Sequence, residues 1–197
     1  YAGEYKIVRQ LVASGQKSSE DRGDLYAVAN YSLGLPSISG LAADESHLTR
    51  AKAERIEENW THRNFHLQHY WALFVFLQCD LYEEKFHDAW KRIERTWGPL
   101  KKSLLLTMDL LSIEAFHIRG RVALAIFALD PDNEKMKADV KYCIKNISKV
   151  KTVVASALAT LLEAGFMHVC DEKKKAIRTF EIAEARCKVA EMRGYAA

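Results

Sequence analysis

His62, His66 and His69 step by four and then three residues, and Glu58 lies four positions before the first of them. On one continuous helix this spacing would gather four metal-ligating side chains into a narrow stripe, because residues three and four apart are neighbours on a helix surface. Imidazoles are good zinc ligands, and a bound zinc would activate water. Two features oppose that chemistry. Trp60 to Asn64 reads as a turn, which puts Glu58 and His62 across a chain reversal from His66 and His69. The chain also lacks an HExxH pattern, the arrangement that builds a general base into such a site. No metal and no cofactor is expected.

Other catalytic arrangements are missing as well. The sequence contains no GxxxxGK[ST] or GxGxxG phosphate loop, no GxSxG elbow and no HRD or DFG element. Glu114 and Glu163 fall on separate apolar helices, so they do not make an obvious pair for acid–base work. The four cysteines, Cys79, Cys143, Cys170 and Cys187, are far apart and none forms a CxxC pair, as expected for reduced thiols in a cytosolic protein. The chain is therefore expected to catalyse nothing.

The histidines sit beside a run of eight apolar or aromatic residues, Tyr70 to Leu77. A membrane span needs about 20, so the run reads as a soluble helix buried on most sides. Composition agrees: of 197 residues, 49% are hydrophobic and 28% charged, with a net charge of +3. That charge is too small for a nucleic-acid surface, where a dense Lys/Arg stripe is the usual footprint. No charged-then-apolar leader opens the chain, and a cytoplasmic, non-membrane protein is expected. A start at Tyr1 rather than Met suggests a piece of a longer polypeptide.

The elements that hold these residues are helical throughout. Ala176, Phe180, Ala183, Cys187 and Ala190 alternate steps of four and three, as do Met136, Val140, Cys143 and Ile147. About nine helices are predicted, over 2–14, 20–34, 45–60, 64–81, 84–97, 100–128, 132–149, 151–170 and 172–193. Gly98–Pro99 should end one helix and begin the next, and Gly120 is where the long sixth helix would bend. Asp130 with Pro131, and later Asp171, read as N-caps, and 34–44 as a loop.

Short joints imply antiparallel pairs, and a row of pairs makes an α-solenoid in a single domain over 1–197. Tetratricopeptide-like spacing supports this. Ala176, Phe180 and Ala183 keep the Ala-x-x-x-Phe-x-x-Ala register, with Ala164 and Gly165 on the preceding helix. Ala89 and Ile93 give a fair match, and Ala138 and Tyr142 a poor one.

Three stretches, "RGDLYAVANYSLGLPSISGLAADE" (22–45), "FHLQHYWALFVFLQCDLYEEKFHDAWKRIERTW" (65–97) and "SLLLTMDLLSIEAFHIRGRVALA" (103–125), carry a resemblance. They resemble the C-terminal tetratricopeptide-like region of large bacterial serine/threonine protein kinases. In that family the region follows a kinase domain whose motifs this chain lacks, so no catalytic residue carries over. The resemblance implies a regulatory or docking module for a protein or peptide segment. Arg63, His66, His69, Tyr70 and Arg119 are polar or aromatic where packing alone would favour Leu, and they are the candidate interaction surface. Two other readings compete: a small-molecule sensor with a pocket lined by Tyr70, Trp71 and Phe74, and an enzyme using the histidine stripe.

Overall fold

The computed structural model describes residues 4–58 and 64–196. It is 81% helical and contains no strand among those residues. The described residues form ten α-helices: α1 Tyr5–Asp21, α2 Leu25–Ser32, α3 Ile38–Leu41, α4 Ser46–Glu58, α5 Leu67–Tyr82, α6 Phe86–Lys102, α7 Asp109–Leu129, α8 Glu134–Ile147, α9 Val153–Val169 and α10 Lys173–Val189. The tenth, absent from the expected nine, is the short α3. It lies with a 3-10 turn at Leu35–Ser37 inside the stretch read as loop.

The largest difference lies at Gly98–Pro99, where α6 does not stop. Ala89, Ile93, Trp97 and Leu100 continue one buried stripe through this point. Gly98 and Pro99 are both exposed, so the ring meets no neighbouring helix. Burying Leu100 stabilises by about 1.5–3 kcal/mol, which offsets the hydrogen bond that Pro99 cannot donate. The helix ends instead at Ser103, before Leu104 in a left-handed conformation (φ 64°).

Several joints share one construction. A residue with φ between 55° and 68° stands one residue past the helix C-cap at Gly23, Glu84, Asp171 and Glu191, and two past it at Asp44. In each case its N–H reaches back three residues, and the next N–H reaches back five. Glu84 thus donates to the Leu81 carbonyl (3.3 Å) and Lys85 to that of Asp80 (2.8 Å), while Asp171 donates to His168 (3.1 Å) and Glu172 to Met167 (3.0 Å). The paired bonds satisfy carbonyls that a helix end would leave open. Asp171 is therefore a helix terminator and not the expected N-cap. Asp130 likewise closes α7, while Asn133 caps α8 by accepting from Met136 N–H at 3.1 Å.

The described residues gather into two compact units, one within 4–105 and one within 106–196. In the first, α4, α5 and α6 pack in sequence, and Leu33, Ala53 of α4, and Ala72, Val75, Phe76 and Cys79 of α5 form a buried cluster. In the second, α8 packs on α7, α9 on both, and α10 on α9. Gly120 is what lets α9 come so near. A Cβ there would lie 2.4 Å from Leu162 Cδ2 and 3.0 Å from Cys143 Cβ. Its function is close helix approach, and α7 runs through it without a break.

Candidate functional site

The two histidines that sequence places three apart come together at the start of α5. His66 is the N-cap, and its backbone N–H donates to His69 Nδ1 at 2.9 Å. This is the reciprocal half of a capping box, with imidazole standing where Glu or Gln is usual. The bond uses the Nδ1 lone pair and so holds the ring in its Nε2–H tautomer. His69 also stacks on His66 (5.7 Å between centroids, 27°) and lies 5.7 Å from the ring of Phe65.

Tyr70, one residue on, is 2% exposed and packs edge-on against Trp71. It belongs to the core and presents no surface. Arg63 and His62, and most of the predicted turn around them, lie outside the described residues.

His69 is also part of a small cavity, about 250 Å³, between α5 and α6. Leu73 and Phe76 form its buried floor, with Phe65 beside them. Arg92, Arg95 and Thr96 stand on the α6 side, and Glu57 is the one acidic residue of the lining among the described residues. The Arg92 guanidinium carbon lies over the Phe76 ring, 4.4 Å from its centroid, a cation–π contact that restrains the side chain.

Behind this rim is a charge cluster that joins three helices. Asp80, only 2% exposed, accepts from Arg50 at 2.7 Å and from Arg92 Nε at 3.4 Å. Arg50 also binds Glu83 at 3.0 Å, and Lys85 binds Glu83 at 2.7 Å. Burial pulls Glu83 upward, but Lys85 and Arg50 outweigh it and hold its carboxyl below the ordinary range. Burial likewise pulls Arg50 downward, and its hydrogen bond to Asp80 with the neighbouring carboxylates reverses this. Burial pushes the adjacent Cys79 thiol up to about 11, which removes it as a nucleophile at neutral pH.

Arg119 belongs to the second unit. Its Nε and Nη2 each donate to Asp139 at 2.6 Å, and its guanidinium carbon lies 5.7 Å from the Tyr142 ring. Both partners are largely buried, so Arg119 fastens α8 to α7 and is not the exposed binding residue its polarity suggested. His117, on the same helix, is fully enclosed, with Tyr195 edge-on at 6.0 Å. Burial, then the charge of Arg121, lowers its pKa to about 3.

Among the described residues no group of three or more His, Cys, Asp or Glu could hold a metal ion. No helix there is long and apolar enough to cross a membrane.

Sequence reasoning found His69 but missed Arg92, Arg95 and Phe76 as its companions. The signal was available in α6: Arg92 and Arg95 sit three apart, on the polar side of a helix whose opposite face is buried. Comparison with family models, with curated proteins and with solved structures returned no significant match.

Proposed function

We propose that this chain is a non-catalytic protein-interaction module, an α-solenoid of tetratricopeptide-like helix pairs. The repeated joint supports the architecture. Five residues after the left-handed position stands a small buried side chain in three of the joints, Thr49, Ala89 and Ala176. Small residues at that offset let the second helix of a pair lie close to the first. The resemblance in 22–45, 65–97 and 103–125 supports a role in serine/threonine kinase signalling, as a docking region in the cytoplasm.

The observation that carries the binding role is the cavity between α5 and α6, with its apolar floor and cationic rim. At about 250 Å³ it falls below the ~300–1,000 Å³ of typical small-molecule sites. It suits one or two side chains of a docked segment better than a free metabolite, which favours docking over the sensor reading at this cavity.

The test is selection of a displayed library of random linear peptides on the purified chain, followed by hydrogen-exchange mapping of the enriched sequences. Docking predicts protection of α5 and α6 around Leu73 and Thr96. Enrichment of no sequence, or protection elsewhere only, defeats it. ATP turnover that disappears with a point substitution in this chain would defeat the non-catalytic part.

A further inference from the structure

We infer that the cavity between α5 and α6 receives a carboxylate side chain, Asp or Glu, next to an apolar residue of the partner segment. This rests on the docking reading above and names the chemistry of what docks.

The first argument is charge. In the cluster behind the rim, Arg50, Arg92 and Lys85 face two carboxylates among the described residues, Asp80 and Glu83. Arg50 already answers Asp80 at 2.7 Å, so the longer 3.4 Å contact leaves Arg92 as the surplus cation. Arg95 adds a second guanidinium to the cavity and has no ion pair among the described residues. Against these stands Glu57, the one acidic residue of the lining among the described residues.

The second argument is hydrogen-bonding capacity. A guanidinium has five N–H donors in a planar fork. Arg92 uses Nε–H toward Asp80, which leaves the donors on its two Nη atoms. The Phe76 ring, 4.4 Å from the guanidinium carbon, restrains that side chain, so less rotamer freedom remains to be lost on binding. A planar carboxylate is the complement of such a fork, and Arg95 one helical turn on can take its second oxygen or a second acid.

The third argument is the floor. Leu73 and Phe76 offer buried apolar surface immediately under the cations. An acidic side chain alone would leave that floor wet, whereas an acid beside Leu or Phe covers both features.

The experiment uses three pools of fluorescent twelve-residue peptides that differ only at two central positions. The pools carry Leu-Glu, Leu-Gln and Leu-phosphoserine in otherwise random sequence, and anisotropy is measured on the whole chain. The Leu-Glu pool should bind at least about tenfold more tightly than Leu-Gln, the loss expected when a charged hydrogen bond is removed. Arg95→Gln should abolish most of that preference; its side chain is exposed, so the variant folds as the parent does. Arg92→Gln should do the same, with circular dichroism verifying that α5 and α6 persist. Equal binding of Leu-Glu and Leu-Gln, a preference unchanged by Arg95→Gln, or binding of the phosphoserine pool alone would overturn the inference. If the random library yields binders and the Leu-Glu pool does not, the carboxylate assignment fails while docking stands. If neither binds, both fail.

Discussion

Arg119 and Asp139 meet through two parallel hydrogen bonds of 2.6 Å, with both side chains less than 15% exposed. Burial lowers the guanidinium's pKa and Asp139 more than restores it, so Arg119 stays charged at any accessible pH. Removing one partner leaves the other a largely buried charge that has lost its ion pair. Arg119→Ala should therefore lower unfolding stability by about 2–4 kcal/mol. Urea denaturation of both single variants and the double variant gives the coupling energy. A loss below about 0.5 kcal/mol would mean that the pair contributes nothing.

Gly120→Ala should destabilise, although alanine in a helix interior is normally better than glycine by about 1 kcal/mol. The added methyl would fall 2.4 Å from Leu162 Cδ2, and overpacking of this kind costs about 1–3 kcal/mol. Leu162→Val on top of Gly120→Ala should recover part of the loss. Thermal melting that rises with Gly120→Ala would show that α9 can move away freely.

At the exposed left-handed positions the sign is opposite. Glu84 and Asp171 bear a Cβ where glycine would have none, so Glu84→Gly and Asp171→Gly should each stabilise by about 0.5–1 kcal/mol. Asp171→Val should destabilise, since β-branched residues tolerate this conformation poorly. Chemical denaturation of the three variants is sufficient to decide.

Stability should fall in mild acid through His117. Its imidazole takes a proton near pH 6.5 when unfolded but only near 3 when folded. Between those values the unfolded chain binds more protons, so the contribution is complete above pH 6.5 and lost progressively toward pH 3. From pH 7 to 4.5, the wild type should lose about 2 kcal/mol more than His117→Gln, as read from urea midpoints. Identical pH slopes would mean that His117 is solvated.

Thiol chemistry gives a rapid test of burial. Cys79, Cys143 and Cys187 are buried and Cys170 is half-buried, and burial raises the pKa of the first three. Native protein should therefore show one fast thiol with a disulfide reagent, and Cys170→Ser should remove it. All four should react in denaturant.

The helical stripes were readable because burial repeats every three to four residues. Met136, Val140, Cys143 and Ile147 are all buried as their spacing requires, as are Ala176, Ala183 and Cys187. Phe180, in the same stripe, is 40% exposed, since period alone does not say where a neighbouring helix ends. Terminators were harder to read. Asp171 and Glu84 do what glycine usually does, and an acid at a helix junction reads first as an N-cap. The site was half legible, for a similar reason. His66 and His69 lie in one short stretch, whereas Asp80 meets Arg50 across 30 positions, and no local pattern encodes that pairing.

The repeated joints bear on how quickly the chain folds. Their closing bonds span three and five residues, and each of α8, α9 and α10 packs on a helix just before it in sequence. Contact order within each unit is accordingly low, and little loop entropy must be lost before neighbouring helices meet. Chains of this topology fold in microseconds to milliseconds, and each helix pair can form before the next begins. Substitutions at the exposed left-handed positions then act on the earliest closures, so a glycine there should speed refolding while leaving unfolding nearly unchanged.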